Sequence, residues 1–357
     1  MSPQKRAVDE STLEELQGKV LGDVAGSLGL LMAYMGDRLD LYSALAEMGA
    51  ATSEQLAQST GLEERYIREW LSANAAAGYV NYAPDSAEFV MTPEQEVVFA
   101  QEGNPACMQG FFQAVVSAYL DEEKVTEVFR TGEGLPWSAH NGCLFCGTER
   151  FFRPLYAANL ISDWLPSLDG VVPKLETGAK VADVGCGHGS STILMAQSFP
   201  NSTFHGFDFH EPSIEHARER ARAAGVAGNT IFEVTTSKAY PGSDYDLVTI
   251  FDALHDMGDP VGACGHILDS LKDDGTFMLT EPAAGDSLKE NLHPLGQIFY
   301  AFSTMICTPA SRAQEVGLAL GAQAGQARLT EVLNEGGFSK VRRAAETPTN
   351  MVLEARR

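Results

Sequence analysis

Apolar positions recur along this chain with two different periods, and the change of period divides it. From residue 12 to residue 48 the period is helical. Leu13, Leu16, Val20, Val24 and Leu28 repeat at steps of three and four, the spacing of one helix face. The run that follows, LGLLMAYMGDRLDLYSAL, is apolar on more than one side and reads as a core or a subunit interface. Residues 50–92 then spell helix, turn, helix and a two-stranded wing. Thr52 or Ser53 caps a helix that runs to Ser59, with Glu54 or Gln55 in its first turn. Gly61 makes the turn, EERYIREWLSANAAAG is the second helix, and YVNY and EFVMT are strands about Pro84-Asp85. Residues 106–130 give one or two helices, TGEGLPWSAHNGC a loop, and residues 148–165 a further helix with Thr148 as its cap.

From Lys180 onward the pattern alternates strand and helix. KVADVGC, TFHGFDF, TIFEVTT, YDLVTIFDAL, TFMLTEP, FSKVRRAAE and NMVLEAR read as seven strands, and DPVGACGHILDSLKDDG and RLTEVLNEGG are among the intervening helices. The continuous apolar run of YDLVTIFDAL is that of a parallel strand buried on both faces. The expected fold is α/β, a doubly wound, Rossmann-like seven-stranded sheet preceded by an α-helical winged-helix domain. The expected division is residues 1–105 for the winged helix and dimerisation, 106–170 for a helical linker and substrate lid, and 171–357 for the sheet domain. Residues 283–325 interrupt the sheet domain as a cap insertion.

Within the first strand–turn–helix–strand unit, Lys180–Phe209, the turn carries Gly185, Gly187 and Gly189. Glycine lets backbone approach a ligand where a side chain would obstruct it. The next strand ends at Asp208, and an acid there can accept both hydroxyls of a ribose. The spacing is D-x-G-x-G-x-G, with Ser190 where the third glycine of a dinucleotide fingerprint would stand, which argues against a nicotinamide-dependent enzyme.

Composition narrows the partners. The chain has 357 residues, 25 basic and 48 acidic, for a net charge of −23. Nucleic-acid binding relies on cations that displace counterions from phosphates, and no basic patch stands out. The second helix of the winged unit carries Glu63, Glu64 and Glu69 against Arg65 and Arg68. Dimerisation or substrate lining is therefore preferred there to DNA reading, and neither nucleic acid nor membrane is expected as a partner. The N-terminus lacks the apolar core of a signal peptide. The six cysteines are too sparse for a disulfide framework, so a cytoplasmic protein with reduced thiols is expected.

The D-x-G-x-G-x-G turn and the strand order after it resemble class I S-adenosylmethionine (SAM) methyltransferases. With the winged helix, and with GTERFFRP, VADVGCGHG, LHDMGDP and ICTPASRAQEVGLALGAQAG, the chain resembles actinobacterial-type small-molecule methyltransferases that carry a winged-helix dimerisation domain. That resemblance implies a SAM-dependent methyltransferase acting on O, N or S of a small molecule, as a homodimer, with S-adenosylhomocysteine (SAH) as product. It implies that Asp183, Gly185, Cys186, Gly187 and Gly189 hold the methionine part, that Asp208 takes the ribose and that Phe209 lies against adenine. The acid that often binds adenine after the third strand is absent; Thr236, Ser237 and Lys238 stand there instead. Phe251, Asp252 and His255 follow the fourth strand and should face the sulfonium or the acceptor.

Methyl transfer needs alignment and exclusion of water, and a hydroxyl acceptor also benefits from a base. His255, with Asp252 as its partner, is the candidate base; its alternative is a packing or capping role. His140, Cys143 and Cys146 form H-x-x-C-x-x-C, but nothing nearby completes a tetrahedral set, so no metal is expected and a substrate-side loop is preferred. Trp137, Phe145, Phe152 and Tyr156, with Phe299 and Tyr300 and the flanking Glu281 and His293, are the expected walls of the acceptor pocket. The competing reading is a non-catalytic SAM-responsive regulator with its winged helix on DNA.

Overall fold

The computed structural model describes residues 7–357 and divides them into two compact units, one ending at Val116 and the other running from Ser117 to Arg357. The boundary assigns residues 106–116 to the first unit.

In the first unit, helix α1 (Glu10–Arg38) starts at a capping Asp9, whose carboxylate accepts the Thr12 N–H at 2.8 Å. Only the end of α1 is buried, at Ala33, Tyr34 and Gly36. The stripe Leu13, Leu16, Val20, Val24 and Leu28 stays 42–59% exposed. Helix α2 (Leu41–Met48) leads to β1 (Ala50–Ala51), then α3 (Ser53–Thr60) and α4 (Glu64–Ala76). Thr52 and Gln55 form a reciprocal capping box at the start of α3, and Gly61 closes it in the left-handed conformation. Strands β2 (Asn81–Ala83) and β3 (Glu88–Val90) make the wing, in an antiparallel sheet of order β1-β3-β2. Leu41, Tyr42, Leu45, Leu56, Ile67, Trp70, Leu71 and Phe89 form the core of this unit. On α4 the arginines are engaged by their own helix: Arg68 meets Glu64 at 2.7 Å and Arg65 meets Glu69 at 2.5 Å. Helices α5 (Pro93–Phe99) and α6 (Gln109–Leu120) follow, the last four residues of α6 belonging to the second unit.

The second unit begins with α7 (Glu122–Thr131) and α8 (Cys143–Asn159). Helix α8 starts five residues before the expected Thr148, absorbs Pro154, and passes into a π-helical turn at Leu160–Trp164. After α9 (Val171–Thr177) come β4 (Lys180–Val184), α10 (Ser190–Ser198), β5 (Thr203–Asp208), α11 (Glu211–Ala223), β6 (Thr230–Val234) and β7 (Tyr245–Phe251). Helix α12 (Pro260–Ser270) ends before the expected Gly275. Its last residues belong instead to β8 (Leu271–Pro282), which pairs with β7 from Tyr245↔Leu271 and shifts register before Leu247. The insertion forms α13 (Pro294–Phe302), a π turn at Ser303–Cys307 and α14 (Thr308–Arg312). Helix α15 (Gly325–Glu335), β9 (Lys340–Glu346) and β10 (Asn350–Arg356) complete the unit.

The seven strands lie in the order β6-β5-β4-β7-β8-β10-β9, parallel through β8, with β10 antiparallel to both neighbours. All seven residues of β7 are buried, as its apolar run requires. One face of the sheet packs on Trp164, Ile193, Ile214 and Phe232, the other on Tyr240, Ile267, Leu329 and Leu333. The order reverses direction between β4 and β7, which opens a crevice at the carboxyl ends of those strands. No helix among the described residues is long and apolar enough to cross a membrane.

Candidate active site

A cavity of about 320 Å³ fills that crevice. Its floor is the turn after β4. Gly187 there has φ +51°, a conformation that favours glycine, and its N–H donates to Asp208 Oδ2 at 2.9 Å. The N–H of His210 donates to Asp208 Oδ1 at 2.8 Å. Both carboxylate oxygens are thus held by backbone at the end of β5, aimed along the cavity wall. Burial raises the Asp208 pKa, and these two backbone donors oppose the rise. Gly189 is required by packing, because a Cβ there would stand 2.9 Å from the Phe232 ring.

Asp183 supports the turn from below and does not line the cavity. It accepts the Ser191 and Thr192 hydroxyls at 2.6 Å each and that of Thr249 at 3.1 Å, tying β4 to β7 and to the start of α10. Gly189 and Lys238 also stand outside the lining; Lys238 is spent on Asp259, at 2.7 Å, and on Glu315. The remaining expected cofactor residues do line the cavity: Gly185, Cys186, Gly187, Asp208, Phe209, Thr236, Ser237, Phe251 and Asp252.

Asp252 is the first residue past β7 and takes the left-handed conformation, φ +49°. Its carboxylate accepts Asn350 Nδ2 at 2.7 Å and the Tyr156 hydroxyl at 3.3 Å. Burial, then the nearby charge of Glu281, pushes its pKa up to about 8. Tyr156 in turn packs between Phe152 and Phe251. Helix α8 reaches the turn through Glu149, which accepts the Ser190 hydroxyl at 2.9 Å and pairs with Arg220 at 2.8 Å.

Of the expected acceptor residues, Trp137, Phe145, Phe152 and Tyr156 line the cavity. The others are placed elsewhere, each by a specific contact. His140 Nδ1 meets Asp121 at 3.1 Å, and burial lowers its pKa against that carboxylate. Its partners in the H-x-x-C-x-x-C run, Cys143 and Cys146, sit in α8, so the three do not converge. His293 caps α13 by accepting the Gly296 N–H at 3.1 Å. Phe299 packs in a side cluster with Leu144 and Ile306, and Tyr300 turns toward Asn291.

His255 and Glu281 lie behind the wall rather than in it. Glu281 accepts the Leu254 N–H at 2.9 Å and meets His255 Nδ1 at 2.5 Å. His255 Nε2 is 3.4 Å from Asp256 Oδ1, and Asp256 is the member of this group that lines the cavity. Burial alone would lower the His255 pKa, but the charges of Glu281 and Asp256 outweigh it and raise it well above its ordinary value. Glu149, His188, Ala310 and Gln314 also line the cavity and were missed; Ala310 and Gln314 belong to the run ICTPASRAQ, whose role no local pattern announces.

Comparison with known proteins follows this division. Residues 175–337 match a "Methyltransferase domain" model, and residues 26–101 match a "Rv2258c-like winged HTH domain" model. The chain is 33% identical over 94 residues to the 27-O-demethylrifamycin SV methyltransferase of Amycolatopsis mediterranei, covering 26% of this chain and 34% of that one. It is 34% identical over 128 residues to the ubiquinone biosynthesis O-methyltransferase of Bordetella avium, covering 34% of this chain and 49% of that one. The chain thus spans between a third and a half of the length of these relatives. Among solved structures, human N-acetylserotonin methyltransferase in complex with SAM superposes with a TM-score of 0.70 at 15% identity, over 99% of both chains.

Proposed function

We propose that this chain, in which a methyltransferase domain follows a winged helix-turn-helix domain, is a SAM-dependent methyltransferase that methylates O, N or S of a small molecule. The observation that carries the reading is Asp208. Its carboxylate ends β5, is fixed by two backbone N–H groups, and borders a cavity at the sheet's switch point. The residues present fit SAM: Asp208 for the ribose hydroxyls, Phe209 for the adenine face, Thr236 and Ser237 for its edge, and Asp252 for the sulfonium. SAM supplies a methyl group already activated by positive sulfur.

The chain's part is to align and to exclude water. Trp137, Phe145, Phe152 and Tyr156 give the acceptor an apolar, aromatic wall, suited to a flat acceptor body. An oxygen acceptor is favoured, because the names of both relatives specify O-methylation or an O-demethylated substrate. In that case Asp256, backed by His255 and Glu281, is the polar group at the wall that receives the acceptor's proton or orients its hydroxyl. The regulator reading is disfavoured, because the arginines of α4 are already paired with glutamates of the same helix.

The exposed apolar stripe of α1 supports a homodimer, with a second copy covering it. Six free cysteines accord with a reducing cytoplasm. The direct test incubates the protein with methyl-labelled SAM and a metabolite panel rich in phenols and hydroxylated polyketides. Label should move to one acceptor class. Absence of SAM and SAH binding by calorimetry would overturn the reading.

A further inference from the structure

Behind the Asp256 side of the cavity, ligand-type atoms of three kinds converge from two separate segments. His255 and Asp256 come from the turn after β7, and Cys307 ends the π turn that precedes α14. A ring nitrogen of His255, an Asp256 carboxylate oxygen and Cys307 Sγ all lie within 4.8 Å of one another, and it is Nε2 that faces Asp256 Oδ1. The segments are pinned together: the Ser311 hydroxyl donates to Met257 O at 2.8 Å, and Gln314 Nε2 donates to Asp256 O at 2.9 Å. The convergence is therefore built by the scaffold.

Geometry and chemistry both suit a cation. Two ligand atoms about 2.0–2.1 Å from a tetrahedral ion stand about 3.3 Å apart. The observed separation of His255 Nε2 and Asp256 Oδ1 is 3.4 Å. The other ring nitrogen, Nδ1, is committed to Glu281 at 2.5 Å, and Glu281 is itself fixed by the Leu254 N–H. A carboxylate on the far nitrogen is how metal-binding histidines are usually oriented. Asp256 Oδ1 is buried without a well-formed hydrogen bond. An ordinary buried His–Glu pair needs neither a second carboxylate nor a thiol on the remaining nitrogen.

We infer that His255 Nε2, the Asp256 carboxylate and Cys307 Sγ bind a divalent transition-metal ion, zinc foremost, with a fourth position left open on the cavity side. The mixed N, O and S donors match the borderline softness of zinc, and three protein ligands with one vacancy is the pattern of catalytic rather than structural sites. On binding, the thiol proton of Cys307 and the proton on His255 Nε2 leave to solvent, and the freed lone pairs take the ion. Of the three ligands Asp256 borders the cavity, and an ion held there would take an acceptor oxygen or sulfur as its anion, a role that would then pass to the ion from the Asp256 carboxylate. The ion site itself does not depend on the methyl-transfer reading.

The test uses the full chain, stripped with a chelator and titrated with cobalt(II), then with zinc(II). One equivalent of cobalt per chain should bind, with a thiolate-to-cobalt charge-transfer band in the near ultraviolet, and zinc should displace it. Cys307→Ser should abolish the band, and Asp256→Asn should weaken cobalt binding at least tenfold. The double change Cys143→Ser, Cys146→Ser should leave the band in place. Absence of the band in the unaltered protein, or its persistence in Cys307→Ser, overturns the inference. SAH calorimetry on the same samples reports separately on folding and on the cofactor site, so failure of one reading is distinguishable from failure of the other.

Discussion

The proposed ribose site offers the sharpest perturbation, because each carboxylate oxygen of Asp208 already has a backbone donor. Gly187 N–H meets Oδ2 at 2.9 Å and His210 N–H meets Oδ1 at 2.8 Å, while ribose hydroxyls would donate to the remaining lone pairs. Asp208→Ala removes a charge-assisted acceptor worth about 1.5–3 kcal/mol, which is about 10- to 150-fold in affinity at about 1.4 kcal/mol per decade. Asp208→Asn looks conservative and should be no better. Whichever way the amide is turned, its NH₂ faces either the Gly187 or the His210 N–H, and that side of the ribose meets a donor in place of an acceptor. Both variants should therefore weaken SAH by one to two orders of magnitude in calorimetry, and both should lower the melting temperature by loosening the turn after β4. Thermal melts identify any sample too unfolded to interpret. If Asp208→Asn bound SAH within twofold of the unaltered chain while remaining folded, the carboxylate would not be the ribose ligand.

Three other expectations follow from single contacts. Asp252, its pKa pushed up to about 8 by burial and by Glu281, is largely protonated at neutral pH when the cavity is empty. Its folded-state pKa lies above the ordinary 3.8, so the stability linked to it is fully present below about pH 4 and is lost as pH rises through about 8. A sulfonium opposite Asp252 favours the charged form, so SAM binding should release a proton and tighten from pH 6 to pH 8. Calorimetry in buffers of different ionisation enthalpy reads this, and a flat affinity over that range counts against it. Gly189→Ala places a Cβ 2.9 Å from the Phe232 ring at φ +76° and should cost about 1–3 kcal/mol of stability, measured by denaturant melts; an unchanged midpoint would show that the turn relaxes freely. Val20→Glu with Val24→Glu charges the exposed stripe of α1 and should turn a dimer into a monomer in sedimentation at micromolar concentration, whereas an unaltered dimer would place the interface elsewhere.

Much of the fold was legible because its signals are local. The seven strands, the glycine turn and the helix capped at Thr52 each announce themselves within a few residues, and the apolar run of β7 anticipates the burial of all seven of its residues. The misplacements arose where tertiary contacts decide. Helix α8 begins at Cys143 although Thr148 looks like a cap, because Thr148 stands on the cavity wall within a helix already under way. His255 carries the right local signal for a base, yet Glu281 holds its Nδ1 and the ring stands behind the cavity wall, which sequence spacing alone does not reveal. His293 and Tyr300 have pocket-like chemistry, but a helix cap and Asn291 occupy them.

The two halves of the cavity differ in how they are built, and that difference bears on what each can change. The half proposed for the cofactor comes mainly from one stretch of chain, β4 through the residues after β5, with the turn braced by Asp183 and Asp208 through short-range hydrogen bonds. The half proposed for the acceptor is assembled from α8, from the turn after β7 and from α14, segments far apart in sequence that meet through Tyr156, Ser311 and Gln314. Trp137 and Ala310 line the cavity and make none of the hydrogen bonds that hold Asp208, whereas Phe145 packs on His210, one of the two donors to that carboxylate. On the proposed function, acceptor choice can therefore drift through Trp137 and Ala310 while the cofactor site stays put. Variants at these two positions should change which acceptors are methylated while shifting SAH affinity by no more than a few fold. A parallel loss of SAH binding in both would mean that the two halves are mechanically one.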